Sequence, residues 1–270
     1  MVGTLQRAGF SVVAYNRTRA AAEATGAEVA ETAREAAAGA DITLSSLADD
    51  GALNALYSGP DGVMAGLRAG TVAVDTSTVN PATIQQLALD VAATGASLID
   101  APVSGSVGLV EAGQLTIMVG GEAGALELAR PALEALAAKI FHVGAIGSGA
   151  TVKLAVNALV HATNTALSES LVLAEKAGVD RALAYDVFAA GAAGSPFLQY
   201  KRDAYLQPDS APVAFSLDLV AKDLGLILEL AEQVDAPMDQ GTANLEVTAA
   251  AIRAGFGDRD MSVIAEHLRV

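Results

Sequence analysis

The strongest constraint on the fold is a change of sequence pattern between residues 142 and 149. Up to about residue 142, short runs rich in β-branched residues alternate with alanine-rich stretches of helical character. This alternation is typical of a sheet of parallel strands covered by helices. After Gly149 the strand pattern stops, and long amphipathic segments follow. The sequence therefore predicts an α/β domain in residues 1–147 and an all-helical domain in residues 148–270.

Several predicted strands end in polar or small residues. We expect strands at Ser11–Tyr15, Glu28–Val29, Ile42–Leu47, Thr71–Asp75, Ser97–Asp100, Gln114–Val119 and Ile140–Val143, and helices at roughly 150–177, 180–191, 197–206, 215–233, 239–254 and 259–268. In open α/β sheets, ligands bind beyond the carboxyl ends of the strands. The sequence therefore predicts a ligand site among the segments that follow these strands: Asn16-Arg17-Thr18, Ser46-Leu47-Ala48-Asp49, Thr76-Ser77-Thr78 and Ser104-Gly105-Ser106.

Charge and composition exclude several classes of partner. Acidic residues outnumber basic ones by 31 to 16, and the formal net charge of -15 repels nucleic acids and anionic membranes. The chain has no cysteine and three scattered histidines, so we expect no metal site. The longest apolar stretch, 150–174, is interrupted by polar residues, and the first twenty residues lack a secretory pattern. We therefore expect a cytoplasmic protein without a membrane span.

One predicted helix carries a polar stripe on otherwise apolar surroundings. Lys153, Asn157 and His161 are spaced by four residues, so they lie on one side of the helix. Buried polar groups need partners, water or a ligand. A lysine at a ligand site can give a proton to a carbonyl oxygen and take one from a hydroxyl. The alternative is that Lys153 reaches solvent beside an interdomain surface. Its place just after the domain junction favours the ligand site, and His161 is better interpreted as a packing residue.

Four motifs, in this combination, resemble those of the β-hydroxyacid dehydrogenase family. They are Asp75-Thr-Ser-Thr-Val-Asn-Pro, Asp100-Ala-Pro-Val-Ser-Gly-Ser, Gly147-Ser-Gly-Ala-Thr-Val-Lys with Asn157 following, and Lys222-Asp223-Leu224. The resemblance covers nearly the whole chain. It implies a Rossmann-like doubly wound sheet followed by an all-helical domain. It also implies a nicotinamide-dependent oxidoreductase that interconverts a small 3-hydroxy acid and its semialdehyde or oxo acid.

The resemblance also implies roles for particular residues. It makes Lys153 the catalytic acid/base with Asn157 beside it, and Ser104, Gly105 and Ser106 the loop that holds a substrate carboxylate. For the cofactor, it implies Thr78 beside the nicotinamide, main-chain contacts from Leu47 and Ala48, and Lys222 at the cofactor end of the site. The residues alone leave two alternatives open: the loop at 104–106 could be a simple turn, and Lys222 could form a surface pair with Asp223.

The turn Asn16-Arg17-Thr18 bears on the choice of cofactor. In this kind of sheet an acidic residue after the second strand binds the ribose hydroxyls of NAD, whereas an arginine suits the 2′-phosphate of NADP. Arg17 therefore favours NADP, with NAD as the alternative. An exposed turn arginine without a ligand is the other interpretation.

The sequence departs from the family at its beginning. Family members start with a strand and a glycine-rich turn, G-x-G-x-x-G, whereas this sequence starts within the helix that follows. We expect the native polypeptide to start upstream of Met1; the alternative is a truncated, non-catalytic binding or assembly protein. Imine reductases resemble the same fold, but they typically carry Asp or Tyr where this chain has Lys153. The long apolar helix of the second domain favours a homodimer or a homotetramer.

Overall fold

The structure is a computed structural model that describes residues 1–269. The chain forms two compact units, Met1–Lys153 and the described residues from Leu154 onward. The division falls inside one continuous helix, Ser148–Lys176. The predicted boundary between residues 147 and 148 coincides with the start of that helix, and we keep it as a prediction. Among the described residues, no helix is long and apolar enough to cross a membrane.

The first unit alternates helices and short strands. In chain order its elements are α1 (Val2–Arg7), β1 (Val13–Ala14), α2 (Arg19–Glu23), β2 (Glu28–Val29), α3 (Ala33–Ala38), β3 (Ile42–Ser45), α4 (Asp50–Tyr57), β4 (Val72–Asp75), α5 (Pro81–Ala92), β5 (Ser97–Asp100), β6 (Val103–Ser104), α6 (Val107–Glu111), β7 (Leu115–Gly120), α7 (Ala123–Leu136) and β8 (Ala137–Gly144).

The strands form a two-stranded sheet and a six-stranded sheet. β1 and β2 pair in parallel, and the larger sheet has the order β3-β4-β5-β7-β6, with β8 also paired to β7. The expectation of a parallel sheet is wrong for two pairs, because β7 runs antiparallel to β5 and to β6. The chain between β6 and β7, residues 105–114, is too short for the crossover of about a dozen residues that a parallel pair needs.

The central strand β4 is buried along its whole length. Val72 and Val74 belong to one apolar cluster with Ile99, whereas Ala73 belongs to a second cluster with Leu98. Alternate residues of a strand point to opposite faces, so the sheet is covered on both sides. This arrangement confirms a Rossmann-like, doubly wound fold.

The second unit is helical, as the sequence predicts. Helix α8 (Ser148–Lys176) continues into it and is followed by α9 (Arg181–Ala190), α10 (Pro196–Leu206), α11 (Leu217–Gln233), α12 (Asp239–Ala251) and α13 (Ile264–Arg269). The predicted last helix, 259–268, is replaced by a 3₁₀ turn at Met261–Val263 and by α13. Asp260 caps that turn by accepting a hydrogen bond from the Ser262 backbone N–H, which stops a helix from starting earlier.

A buried ion pair links distant parts of this unit. Lys201 Nζ lies 2.7 Å from both carboxylate oxygens of Asp260, and the two residues are 2% and 7% exposed. The same carboxylate accepts hydrogen bonds from the backbone N–H groups of Ala214 and Phe215. Asp260 therefore ties α10 and the segment that precedes α11 to the start of the last helical turns.

Candidate active site

Three polar residues lie side by side at the carboxyl ends of adjacent strands. Ser45 of β3 pairs in register with Asp75 of β4, and Asp75 pairs with Asp100 of β5. Ser45 is 3% exposed and each aspartate is 1% exposed. A carboxylate is rarely buried without partners, because its transfer from water is costly. The two aspartates therefore need compensating hydrogen bonds.

Hydroxyl groups surround Asp75. Its Oδ1 accepts hydrogen bonds from Ser45 Oγ at 2.7 Å and from Ser77 Oγ at 2.8 Å, and its Oδ2 accepts one from the Ser77 backbone N–H at 3.2 Å. Burial raises the pKa of Asp75 to about 6, although these three hydrogen bonds act in the opposite direction. The phenol of Tyr57 lies 3.2 Å from Ser45 Oγ. Burial, reinforced by the charge of Asp75, raises the pKa of Tyr57.

The Asp75 cluster joins two of the predicted cofactor segments. The Leu47 backbone N–H donates to Ser77 Oγ at 2.9 Å, and Thr76 Oγ1 donates to the carbonyl oxygen of Ser45 at 2.8 Å. The turn that follows β3 is thus held against the turn that follows β4. Leu47 and Thr78 are half-buried and Ala48 is exposed. The structure therefore brings together these three residues of the predicted cofactor site, all in the first unit.

Asp100 fixes the first turn of α8. Its Oδ1 accepts a hydrogen bond from Gly147 N at 2.8 Å, and its Oδ2 accepts one from Ala150 N at 2.7 Å. Burial raises the pKa of Asp100, whereas the hydrogen bonds from Ala150 and Gly147 lower it. A Cβ at position 149 would lie 2.5 Å from the carbonyl oxygen of Met118, so only glycine fits there. The start of the helix is therefore held tightly.

Lys153 lies in the second turn of this anchored helix. Its side chain is half-buried, and it is the last residue of the first unit. Gly147 has φ +88°, a conformation that favours glycine and allows the chain to turn from β8 into α8. The Gly147-Ser148-Gly149 motif thus allows the helix that bears Lys153 to start in close contact with Asp100.

The predicted carboxylate loop, residues 104–106, lies where β6 ends and α6 begins. Ser104 ends β6 and pairs in register with Thr116 of β7. Gly105 has φ +146°, and a Cβ there would lie 2.8 Å from the Leu115 side chain. Ser106 precedes the short helix α6, and its side chain makes no capping hydrogen bond to that helix. The loop is therefore fixed on one side by the sheet, with Gly105 exposed and both serines half-buried.

The turn that follows β1 is exposed at all three predicted positions. Asn16 Oδ1 accepts a hydrogen bond from Thr18 N at 2.8 Å, which closes the turn, and Thr18 precedes α2. Arg19, two residues further on than Arg17, forms ion pairs with Glu23 and Glu31. Arg17 makes no ion pair with any described residue. It is therefore the arginine of this turn whose charge stays unneutralised.

In the second unit, Asp223 gathers several polar residues. Asn157 Nδ2 donates to Asp223 Oδ2 at 2.5 Å, and Lys222 Nζ lies 2.8 Å from Asp223 Oδ1. His161 Nε2 lies 3.8 Å from Oδ2, too far for a hydrogen bond, and its ring stacks on Phe215. Lys222 thus pairs with Asp223, as the alternative interpretation expects, but the pair is not on the surface: Asp223 is fully buried, and the lysine side chain stays 24% exposed.

The rest of the polar stripe on α8 is satisfied inside the second unit. Asn164 Nδ2 donates to the carbonyl oxygen of Met261, and its Oδ1 accepts from the hydroxyl of Tyr205. Ser168 Oγ donates to the carbonyl oxygen of Asn164 and lies 3.2 Å from the same tyrosine hydroxyl. These two residues have structural partners, so the stripe does not serve a ligand along its whole length.

Asp75, Asp100 and Asp223 have no role in the site predicted from the sequence beyond their places in the motifs. A signal for the first two was present, since each is an acidic residue that ends a run of apolar strand residues. No comparable local signal marked Asp223, because its partners Asn157 and His161 lie more than sixty residues away in the sequence.

Comparisons with known proteins agree with this architecture. The profile described as "NAD binding domain of 6-phosphogluconate dehydrogenase" matches residues 1–144. The profile described as "NAD-binding of NADP-dependent 3-hydroxyisobutyrate dehydrogenase" matches residues 147–268. The chain is 33% identical to the 2-(hydroxymethyl)glutarate dehydrogenase of Eubacterium barkeri, over 98% of this chain and 89% of that protein. The chain belongs to the β-hydroxyacid dehydrogenase family.

Solved structures of the family have the same fold. A 3-hydroxyisobutyrate dehydrogenase from Salmonella typhimurium is 27% identical and superposes with a TM-score of 0.90, over 98% of this chain and 94% of that chain. A 3-hydroxyisobutyrate dehydrogenase from Mycobacterium tuberculosis, solved with L-serine, is 30% identical with a TM-score of 0.84, over 100% of this chain and 94% of that chain. The chain is thus an NAD(P)-dependent β-hydroxyacid dehydrogenase or reductase.

Proposed function

We propose that the protein interconverts a small 3-hydroxy acid and its semialdehyde or oxo acid with NADP(H), and that Lys153 moves the proton. The observation that carries the proposal is the anchoring of the helix that bears Lys153. Buried Asp100 holds the first turn of α8 by two backbone hydrogen bonds, which fixes the direction of the turn that follows. A catalytic group needs such a rigid support, because a small displacement of an acid or base reduces its efficiency strongly.

The residues present fit a nicotinamide cofactor at two places. The exposed turn at Arg17 offers an unneutralised guanidinium, which suits the 2′-phosphate of NADP. The joined turns at Leu47, Ala48 and Thr78 offer backbone groups and a hydroxyl at strand ends, where cofactors bind in this fold. In the second unit, Lys222 is a further candidate for cofactor contact. When bound, the cofactor supplies or accepts the hydride.

The chain's own residues then have three tasks. The loop Ser104, Gly105 and Ser106 would bind the substrate carboxylate through backbone N–H groups and hydroxyls, without a net positive charge. Lys153 would give a proton to the carbonyl oxygen during reduction and remove one from the hydroxyl during oxidation. Asn157, one helical turn from Lys153, would hydrogen-bond the same oxygen.

The relatives support the substrate class. Serine, 3-hydroxyisobutyrate and 2-(hydroxymethyl)glutarate, which appear in the names of similar proteins, each carry a hydroxyl on the carbon β to a carboxylate. We infer that this chain acts on substrates of the same pattern, in which a primary hydroxyl group lies on the carbon β to a carboxylate. A test is a panel of these acids and of glyoxylate and succinic semialdehyde, assayed with NADP(H) and with NAD(H). Turnover of none of the three β-hydroxy acids would contradict the proposal, even if glyoxylate or succinic semialdehyde were reduced.

The role of Lys153 has a matched test. We expect Lys153→Met to lower kcat by about 10²–10⁴-fold, which is the usual contribution of general acid–base catalysis. Lys139→Met is the control, since Lys139 is exposed on β8 of the same unit and forms no part of the predicted site. A Lys153→Met enzyme with kcat close to that of the control variant would show that the proton moves through another group.

We also propose that the protein is a homodimer or homotetramer. Leu159 and Leu173 of α8 are 71% and 72% exposed, and Leu183 and Val187 of α9 are each 60% exposed. Large apolar side chains exposed in neighbouring helices are typical of a subunit interface. Sedimentation velocity measures the state directly, and a monomer at micromolar concentration would contradict the proposal.

A further inference from the structure

The hydrogen bond between Asn157 and Asp223 fixes which end of the Asn157 amide is available to a ligand. The donor, Asn157 Nδ2, lies 2.5 Å from Asp223 Oδ2, and the two residues are 6% and 0% exposed. An asparagine amide has a donor end and an acceptor end, and the hydrogen-bond partners decide which end points where. The chemical state of Asp223 therefore determines the orientation of the amide.

Asp223 is ionised in this environment. Burial alone would raise its pKa, but the nearby His161 and Lys222 side chains hold the pKa of Asp223 below its usual value. The ammonium of Lys222 lies 2.8 Å from Oδ1, and His161 Nε2 lies 3.8 Å from Oδ2. An ionised carboxylate only accepts hydrogen bonds. The Asn157 atom that faces Asp223 must then be the NH₂ group.

We propose that Asp223 is a positioning residue that turns the Asn157 amide so that its carbonyl oxygen, Oδ1, is presented to the substrate as a hydrogen-bond acceptor. The proposal rests on the proposed function, in which Asn157 contacts the reacting oxygen. A hydroxyl can donate to Oδ1, whereas a carbonyl oxygen cannot. Asn157 therefore favours binding of the hydroxy acid over binding of the semialdehyde.

The first test compares two substrates of opposite oxidation state. Asp223→Asn is nearly isosteric, but its amide can also donate, so the Asn157 amide is no longer held in one orientation. With 3-hydroxyisobutyrate, we expect KM to rise by up to about tenfold, the effect of losing one hydrogen bond between neutral groups. With 2-methyl-3-oxopropanoate, we expect a change of less than about threefold. Equal changes in the two KM values would overturn the proposal, since a general disturbance of the fold would affect both substrates.

The second test exchanges the two residues. Asn157→Asp alone places two carboxylates in contact and is expected to impair both stability and activity. In the double variant Asn157→Asp with Asp223→Asn, the amide at 223 donates to the carboxylate at 157, and that carboxylate keeps an acceptor oxygen towards the substrate. We expect the exchange to restore KM for 3-hydroxyisobutyrate to within about threefold of the unmodified enzyme. A double variant no better than Asp223→Asn would refute the proposal.

A third readout needs no turnover. The side-chain NH₂ signals of Asn157, assigned in ¹⁵N–¹H spectra by their absence in Asn157→Asp, should show the marked chemical-shift displacement of a short hydrogen bond to a carboxylate. We expect Asp223→Asn to shift them strongly and Asp218→Asn, the matched control, to leave them nearly in place, because Asp218 is an exposed carboxylate on the same helix α11. Unchanged signals in Asp223→Asn would contradict the orientation. If no substrate were turned over but the signals moved as expected, the proposed function would fail and the orienting role would stand.

Discussion

Replacing Asp75 by asparagine should change how the free energy of unfolding depends on pH. Asp75 is 1% exposed, has no ion pair with a cation among the described residues, and has a pKa raised from 3.8 to about 6 by burial. Its surroundings are three hydroxyl-bearing residues, Ser45, Ser77 and Tyr57, and the carboxyl group of Asp100 on the next strand. Asparagine has the same shape but does not titrate.

The sign follows from the direction of the shift. Below about pH 4 the carboxyl group is protonated in both the folded and the unfolded chain, so its burial costs no ionisation energy. Between about pH 4 and 6 the unfolded chain loses the proton while the folded chain keeps it, so the folded state becomes progressively less stable. Above about pH 6 the penalty is complete. The rise in the pKa of Asp75 from 3.8 to about 6 corresponds to about 3 kcal/mol, at 1.36 kcal/mol per pKa unit.

The assay is urea unfolding, followed by far-ultraviolet circular dichroism at half-unit steps from pH 4 to 7.5. The stability of Asp75→Asn relative to the unmodified protein should rise by about 2.5 kcal/mol across this range, because the unfolded chain is already partly ionised at pH 4. Contributions that do not depend on pH, such as the lost hydrogen bond from Ser77 N, cancel in the slope. Ser45→Ala is the control: it removes a hydrogen bond that lowers the pKa of Asp75, so the transition should move to higher pH. A stability difference that stays flat within about 0.5 kcal/mol would refute the reasoning.

Three further predictions concern other parts of the structure. Lys201→Met leaves the Asp260 carboxylate buried without its cation, so we expect the free energy of unfolding in urea to fall by about 3–5 kcal/mol. Adding Asp260→Asn should recover part of this loss. A decrease below about 1 kcal/mol would contradict a buried pair. Arg17→Ala should raise KM for NADP about tenfold or more and leave KM for NAD nearly unchanged. Arg19→Ala should have a smaller effect on KM for NADP, because the Arg19 guanidinium already pairs with Glu23 and Glu31. A larger effect of Arg19→Ala than of Arg17→Ala would reject Arg17 as the residue that binds the 2′-phosphate. Gly149→Ala brings a Cβ to 2.5 Å from the Met118 carbonyl oxygen, so we expect a lower melting temperature and a lower kcat. Gly124→Ala is the control: its Cβ meets nothing within 4 Å, so the melting temperature and kcat should stay unchanged. Equal behaviour of the two variants would argue against tight packing at the start of α8.

Much of the secondary structure could be predicted because its causes are local. Helix α8 was expected at 150–177 and lies at Ser148–Lys176, since apolar periodicity and the flanking glycines are readable in the sequence itself. Strands β2 and β5 were predicted at their observed bounds. The short strand β6 was missed, because two residues carry no periodicity and only pairing with β7 makes them a strand.

The candidate site, too, could be predicted only in part from the sequence. Lys153, Asn157 and the turn at Arg17 could be picked out from residue type and spacing alone. Only the tertiary structure decided which partners the polar residues of the stripe have. Asn164 and Ser168 share the stripe but are bound to Met261 and Tyr205, and Asn157 is bound to Asp223.

Sequence by itself determined the change from alternating strands to helices and the positions of the helices, because hydrophobic periodicity and capping act over a few residues. The tertiary structure decided the antiparallel pairs of β7, the burial of Asp75 and Asp100, and the contact between Asn157 and Asp223. These features depend on residues that are distant in the chain, and a hydrogen bond across that distance exists only after the core has packed and excluded water.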